Sequence, residues 1–93
     1  MYVIVVYDVS TINENGQKRL SKIMKLLRQY LHHTQKSVFE GEISQGKVYE
    51  IEKKIEGLID KDADYVVLYK IDNKKNINRT TIGIEYDASD KFL

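Results

Sequence analysis

Residues 2–7 read YVIVVY and are followed directly by Asp8. A run of β-branched and aromatic residues is typical of a β-strand, and the aspartate ends it. Side chains alternate between the two faces of a strand, and both alternating sets are apolar here, which predicts a strand that is covered on both sides. The two sets are Tyr2, Ile4 and Val6 on one face, and Val3, Val5 and Tyr7 on the other.

Hydrophobic periodicity on either side of this strand predicts the remaining elements. The first helix is expected to begin after an N-cap at Asn15, and a tight connection near Lys36–Ser37 is expected between two strands. In chain order the predicted elements are a helix over residues 16–31, a short and a longer strand within residues 33–44, a helix over residues 47–59, and strands over residues 64–71 and 79–86.

The order β-α-β-β-α-β plus one further strand is the split β-α-β arrangement of ferredoxin-like folds. We therefore predict an α+β, ferredoxin-like plait with an extra C-terminal strand. Two helices cover only one face of such a sheet, so the second apolar face predicts a homodimer packed across a two-fold axis. We expect residues 1–72 to form the core and residues 73–93 to form a C-terminal strand and tail that pack on the partner protomer.

Length and composition exclude several classes of protein. Ninety-three residues form one small domain, and the absence of cysteine excludes disulfides, thiol catalysis and cysteine-based metal sites. The chain contains no apolar stretch long enough to span a membrane and no secretory leader, so we expect a cytoplasmic protein with no membrane partner.

The net charge of +1 hides an uneven distribution. Residues 1–39 carry a net charge of +4 and residues 40–93 carry −3, and residues 16–31 hold five basic residues and no acid. Such asymmetry indicates an anionic partner, although a solvated helix face remains the simpler alternative. The candidate nucleic-acid-binding residues are Lys18, Arg19, Lys22, Lys25 and Arg28.

Asp8 is the residue most suited to metal chemistry. It shares a face with Ile4 and Val6, the face that a dimer would bury. Mg²⁺ is usually held by one or two carboxylates, with waters and substrate phosphates completing its coordination, and a two-fold axis near Asp8 would supply the second carboxylate. The alternative is an aspartate that ends the strand and caps the following loop.

The spacing of the other polar residues indicates no further metal site or catalytic triad. His32 and His33 are expected at a helix end in solvent, and Ser37 has no acid–base partner at a spacing that would indicate a hydrolase triad. Phosphate-binding glycine loops, zinc and calcium motifs and the aromatic signature of RNA-recognition domains are missing. The tyrosines expected in the core are Tyr2, Tyr7, Tyr65 and Tyr69.

Five segments occur together in one order: MYVIVVYDVS, QKRLSKIMKLL, QKSVFEGEIS, KVYEIEKKIEGLI and DYVVLYKI. In this combination the chain resembles the small CRISPR-associated protein of the adaptation machinery, which is described as a metal-dependent endoribonuclease. The resemblance covers residues 1–72 and extends more loosely to about residue 87.

The resemblance implies a homodimer that bridges the CRISPR integrase and holds protospacer DNA during spacer acquisition, as part of antiviral defence. It also implies that some members cut single-stranded RNA or double-stranded DNA with Mg²⁺, one ion being shared by Asp8 of both protomers. The catalytic residues implied by resemblance are Asp8, Tyr7, Arg19, Ser37 and Phe39.

Two positions depart from the family pattern, because Gln17 and His33 stand where some members carry arginine. A DNA-binding scaffold without nuclease activity is therefore the alternative to an endonuclease. A third class is a ligand-binding regulatory plait domain. The sequence contains neither the glycine-rich turn nor the convergent polar cluster that would support it.

Overall fold

The computed structural model describes residues 1–83 of the chain. Its elements follow the predicted order, and the tight connection at Lys36–Ser37 between the second and third strands is confirmed. The elements are β1 (Tyr2–Asp8), α1 (Glu14–Arg28), β2 (His32–Gln35), β3 (Val38–Glu42), α2 (Gln45–Leu58), β4 (Tyr65–Ile71) and a 3-10 helix (Lys74–Asn76).

The four strands form one antiparallel sheet in the order β2-β3-β1-β4, so β1 is a central strand. This is the arrangement predicted for the α+β, ferredoxin-like core. The register pairs Val6 with Val38 on β3 and with Val67 on β4, and it pairs Asp8 with Tyr65. The end of β1 therefore lies beside the beginnings of both neighbouring strands.

One face of the sheet carries the hydrophobic core. Val3, Val5 and Tyr7 are buried against both helices. Full burial of one such aliphatic side chain contributes about 1.5–3 kcal/mol, so this layer accounts for much of the folding free energy. The buried side chains opposite it are Ile23, Leu26 and Leu27 of α1 and Val48, Ile51 and Ile55 of α2. Tyr2 is buried as well, as predicted, but on the opposite face of the sheet, where its hydroxyl donates a hydrogen bond to Glu40.

The other face of the sheet lies away from the two helices. Ile4 and Val6 on this side are only partly buried, and Tyr65 and Tyr69 are 64% and 56% exposed. The prediction that these two tyrosines belong to the core is wrong, because their pairing with β1 places both on this side. We call this surface the open face, and it comprises Ile4, Val6, Asp8, Val38, Tyr65, Val67 and Tyr69.

Both helices begin earlier than the periodicity indicated, because their caps lie further upstream. The N-cap of α1 is Asn13 rather than Asn15, and its Oδ1 accepts a 2.9 Å hydrogen bond from the amide of Gly16. Ser44 caps α2 by accepting a hydrogen bond from the amide of Lys47.

The end of α1 also differs from the prediction. The helix ends at Arg28, and His32 and His33 lie in β2 rather than at a helix end. The ring of His33 stacks on that of Phe39 with centroids 4.5 Å apart and an interplanar angle of 12°. This contact and the β2–β3 pairing outweigh the local tendency to continue the helix.

A buried carboxylate organises the chain that follows β4. Glu40 accepts hydrogen bonds from the hydroxyls of Tyr2 and Thr34, at 2.6 Å and 2.9 Å, and forms an ion pair with Arg79. The ammonium of Lys74 lies 5.7 Å from the centre of the Tyr2 ring. These contacts fasten residues 74–79 to the sheet at Tyr2 and Glu40.

A C-terminal strand was predicted over residues 79–86, but residues 79–83 adopt no regular secondary structure. Its remainder, together with the rest of the tail, lies outside the described residues. The boundary between the core and the C-terminal region at residue 72 stays a prediction.

Candidate metal and nucleic-acid site

Asp8 is the last residue of β1 and is exposed to solvent. It is paired directly with Tyr65, so its side chain lies on the open face, as the alternation of the strand predicted. A carboxylate at the end of a central strand is held at a defined place by the backbone on both sides, while its oxygens remain accessible. Asp8 can therefore accept a cation without rearrangement of the core.

The donor set of one protomer is too small for a complete metal site. In residues 1–83 no group of three or more His, Asp or Glu side chains is placed to hold a metal ion. The Asp8 carboxylate nevertheless supplies the hard oxygen ligand that Mg²⁺ prefers. The residues present fit one carboxylate of a hydrated Mg²⁺ site, to be completed by water, by a phosphate or by a second copy of the chain.

Tyr7 anchors the turn between β2 and β3 rather than facing the same side as Asp8. Its side chain is buried on the helix side of the sheet, and its hydroxyl donates a 2.9 Å hydrogen bond to the carbonyl of Lys36. Its amide donates a 3.1 Å hydrogen bond to the carbonyl of Ser37. The turn at residues 36–37 is thereby fixed next to the end of β1.

Ser37 and Phe39 occupy different environments. Ser37 is exposed in the turn, whereas Phe39 is fully buried beneath the helices, with its ring centre 6.0 Å from that of Tyr7. The structure thus brings Asp8, Tyr7 and Ser37 to one end of the sheet and places Phe39 in the core beneath them. The catalytic roles implied for these residues by resemblance stay predictions.

Arg19 lies near the same end of the sheet, where it is bound to Asp64. Its Nε donates a 2.8 Å hydrogen bond to Oδ2 of Asp64, and its Nη2 donates a 3.2 Å hydrogen bond to Oδ1. The Asp64 side chain has no exposed surface, while that of Arg19 is 20% exposed. The Nε–Nη2 edge of the guanidinium, one of the two edges that could grip a phosphate bidentately, is therefore occupied.

Asp64 accepts two further hydrogen bonds, from the backbone amides of Ser10 at 3.1 Å and Asp60 at 2.9 Å. The hydrogen bonds from Arg19, more than those from the two amides, hold the pKa of the Asp64 carboxyl below its ordinary value, against the opposing effect of burial. The same contact raises the pKa of Arg19. The pair stays ionised and joins α1, the loop after β1 and the loop before β4.

Asp64 is the residue of this region that sequence reasoning missed. The only signal is an acid placed directly before the apolar run of β4, and this pattern is also typical of a solvent-exposed loop. Its importance depends on partners 45 and 54 residues away in the chain, Arg19 and Ser10. No local pattern reveals such a long-range contact.

The predicted basic surface is present on α1. Its apolar residues Ile23 and Leu27 face the core, and the basic side chains project away from it. Arg19 is the exception, since its guanidinium turns back to Asp64. We call the exposed set the basic stripe, and it consists of Lys18, Lys22, Lys25 and Arg28.

The charge of the basic stripe is only slightly offset within its own helix. Lys18 lies 3.5 Å from Glu14 in an exposed i, i+4 ion pair, which contributes little energy. Phosphates approaching α1 would therefore meet three or four accessible cations.

In the part of the chain that the structure describes, no helix is long and apolar enough to cross a membrane.

Comparison with known proteins gives one consistent match. The family described as CRISPR associated protein Cas2 matches residues 1–79. A Thermotoga maritima protein named CRISPR-associated endoribonuclease Cas2 is 44% identical over 93 residues, covering 100% of this chain and 99% of that protein. The Moorella thermoacetica protein named CRISPR-associated endoribonuclease Cas2 2 is 38% identical over 91 residues, which cover 98% of this chain and 100% of that protein.

The solved structures agree with the sequence matches. The crystal structure of Streptococcus pyogenes Cas2 at pH 6.5 superposes with a TM-score of 0.77 and 31% identity, and covers 89% of this chain and 100% of that one. A second crystal structure, described as cas2, gives a TM-score of 0.76 with 39% identity, covering 91% of this chain and 88% of that one. Fold and sequence therefore indicate the same family.

Proposed function

Because this chain belongs to the Cas2 family of CRISPR-associated proteins, we propose that it is a metal-dependent endoribonuclease that acts as a homodimer in CRISPR adaptation. The relatives described above are named endoribonucleases. The observation that carries the proposal is the position of Asp8, an exposed carboxylate at the end of the central strand on the open face. The substrates that we propose for the protein are single-stranded RNA and double-stranded DNA.

The open face supports the homodimer. Its central aliphatic side chains are only partly buried, and Tyr65 and Tyr69 leave more than half of their surface in solvent. A second copy packed across a two-fold axis would cover these residues and bring its own Asp8 to the edge of the same interface. The C-terminal region, residues 73–93, is proposed to pack on the partner protomer.

Mg²⁺ is the metal proposed for the pair of Asp8 carboxylates. When bound, it would polarise a phosphodiester and lower the pKa of a water molecule. The chain itself contributes the two Asp8 carboxylates as ligands, the fixed backbone on either side of them, and the turn at Ser37 close by. Tyr7 and Phe39 hold this arrangement from the core side of the sheet.

The basic stripe supports a nucleic-acid partner. Lys18, Lys22, Lys25 and Arg28 form an exposed cationic row that suits phosphates irrespective of base sequence. We propose that it binds protospacer DNA while the dimer bridges the CRISPR integrase in the cytoplasm. The same stripe favours a second candidate function, a DNA-binding scaffold that does not cut.

Cleavage assays separate the two functions. Wild type, Asp8→Ala and Asp8→Asn are incubated with labelled single-stranded RNA and duplex DNA, with and without Mg²⁺. We expect Mg²⁺-dependent cleavage by wild type and background cleavage by both variants. Cleavage by Asp8→Ala at the wild-type rate would rule out the nuclease mechanism and leave the scaffold.

Two controls make the assay specific. Asp62→Ala removes an exposed carboxylate elsewhere on the surface and is expected to cut normally. The oligomeric state of each variant is measured by light scattering. If Asp8→Ala loses the dimer together with cleavage, while Asp8→Asn keeps both, Asp8 is structural rather than a metal ligand.

A further inference from the structure

The Asp8 carboxylate lies between two residues whose backbones are fastened to distant parts of the chain. On one side, the amide and the hydroxyl of Tyr7 both bond to the turn at residues 36–37. On the other side, the amide of Ser10 donates to Oδ1 of Asp64. Val9, between Asp8 and Ser10, is buried in the core. The backbone that carries the Asp8 side chain is therefore held on both sides.

Asp64 holds the second of these ends by a hydrogen bond. Its carboxylate accepts hydrogen bonds from Ser10, from Asp60 and twice from Arg19, so both oxygens are used. A carboxylate with no exposed surface is stable in this position only with a cation beside it, and Arg19 supplies that cation. Removal of Asp64 would leave the Ser10 amide without its acceptor, and removal of Arg19 would leave the buried carboxylate without its cation.

The geometry also restricts what Arg19 can do. Two of its five N–H donors, on the Nε–Nη2 edge, are committed to Asp64. Binding a phosphate through this edge would leave the Asp64 carboxylate buried without its cation, at a large energetic cost. The basic stripe of α1 offers four other cations that are already exposed and can take the phosphates instead.

We propose that Arg19 and Asp64 act together as a positioning pair, which holds the loop after β1 and thereby aims the Asp8 carboxylate at the metal and the substrate. This role rests on the proposed nuclease function and assigns Arg19 a task other than phosphate binding. It adds Asp64, a residue of the loop before β4, to the set on which cleavage depends.

The test combines Arg19→Lys, Asp64→Asn and the double variant. Arg19→Lys keeps the positive charge but cannot form the paired hydrogen bonds to one carboxylate. Each single variant is expected to lower kcat for RNA cleavage about 10- to 100-fold, as is usual for residues that orient a metal-binding side chain. The kcat of the double variant is expected to be no lower than that of the less active single variant, because both changes disable the same pair.

RNA binding without metal distinguishes a positioning role from phosphate binding. If Arg19 bound a phosphate, replacing it with uncharged glutamine would make the slope of log affinity against log salt shallower by about 0.7 for single-stranded RNA, whereas lysine would keep the contact. We expect KM, affinity and slope to stay at wild-type values in Arg19→Gln and in the three variants above, with the loss confined to kcat. A shallower slope in Arg19→Gln, with the slope of Asp64→Asn unchanged, would overturn the proposal.

The remaining measurements separate positioning from loss of folding. Circular dichroism at the assay temperature establishes the folded fraction of each variant, and assays are repeated at a lower temperature where that fraction is complete. A kcat that returns to the wild-type value once Asp64→Asn is fully folded would overturn the proposal. Asp62→Asn, the same change at an exposed position of the same loop, is expected to cut as wild type does.

Failure of the pair is distinguishable from failure of the proposed function. If Asp8→Asn is inactive while Arg19→Lys and Asp64→Asn cut normally, only the positioning role is lost. If Asp8→Asn cuts normally, the nuclease function itself is lost. Mg²⁺ titrations by calorimetry in the absence of nucleic acid give an independent readout, since weaker Mg²⁺ binding by folded Asp64→Asn is expected and unchanged binding would contradict the proposal.

Discussion

A β-carbon on Gly16 would lie 1.8 Å from the carbonyl oxygen of Ser10. The first turn of α1 thus packs directly against the backbone of the loop after β1, two residues beyond Asp8. Only glycine permits this approach, because any other side chain would begin inside the van der Waals radius of the carbonyl oxygen of Ser10, a residue whose amide is bound to Asp64. The loop is held on its opposite sides by a hydrogen bond and by a close contact.

We therefore expect Gly16→Ala to destabilise the protein by about 1–3 kcal/mol, the usual cost of forcing extra atoms into a packed site. The matched control is Gly57→Ala, at an exposed position of α2 where an added β-carbon meets nothing within 4 Å. Because alanine favours a helix over glycine, that change is expected to stabilise by about 0.5–1 kcal/mol. Urea unfolding measures both, and equal effects at the two positions would contradict the close packing.

The lowered pKa of Asp64 predicts a specific dependence of stability on pH. A carboxyl whose pKa is lower in the folded state contributes its full stabilisation above its unfolded pKa of about 4 and loses it as the pH falls through the folded value. Asp64→Asn should cost about 1–3 kcal/mol at neutral pH, since charged hydrogen-bond partners lose their acceptor. This difference from wild type should shrink as the solution is acidified below about pH 4.

Chemical unfolding of both proteins between neutral and acidic pH measures that difference. The charged group that contacts Asp64 is Arg19, which stays protonated throughout, while Asp60 of the same loop contacts it through its backbone amide. The exposed Asp62→Asn serves as the control and should show a small difference that does not follow this trend. A gap between wild type and Asp64→Asn that stays constant down to strongly acidic pH would show that the carboxyl is not ionised as described.

Binding to nucleic acid should depend on the basic stripe and on salt. Removing Lys22 and Lys25 together is expected to make the negative slope of log affinity against log salt shallower by about 0.9 for each lysine that contacts a phosphate of duplex DNA. Affinity should fall alike for unrelated DNA sequences, because phosphates carry no sequence information. Fluorescence anisotropy over a range of salt concentrations measures both quantities.

The control for that experiment is Lys53→Ala, which removes one exposed positive charge from α2, where Lys53 lies 4.0 Å from Glu56. Its slope should equal that of wild type. A slope that falls equally for Lys53→Ala and for a single change at Lys22 would show that binding responds to net charge and not to the α1 surface.

The open face should determine the oligomeric state. Tyr69 on β4 and Tyr49 on α2 are both 56% exposed, but they lie on opposite sides of the molecule. Tyr69→Asp places a charge in the proposed dimer interface and is expected to yield monomers, whereas Tyr49→Asp should leave the dimer intact. Light scattering after size exclusion measures the masses, and a dimer that survives Tyr69→Asp but not Tyr49→Asp would place the interface on the helices.

The sequence determined the elements and their order, because hydrophobic periodicity depends on neighbours a few residues apart. The two-sided apolar strand, the helix that carries the basic stripe, and the tight turn at Lys36–Ser37 are all encoded in this local way. The position of Asp8 on the same face as Ile4 and Val6 followed from the alternation of a strand. The family resemblance added Tyr7, Arg19, Ser37 and Phe39 as candidate catalytic residues, which no pattern of spacing indicates.

Tertiary structure alone decided which side chains are paired and which are exposed. Tyr65 and Tyr69 read as core residues but lie on the open face, and His33 reads as the end of a helix but stacks on Phe39 within the sheet. Neither charge nor spacing revealed that Arg19 pairs with Asp64, which the fold brings to it from 45 residues away. Charge and hydropathy are properties of single residues, whereas burial and ion pairing depend on contacts that form only when distant segments pack together.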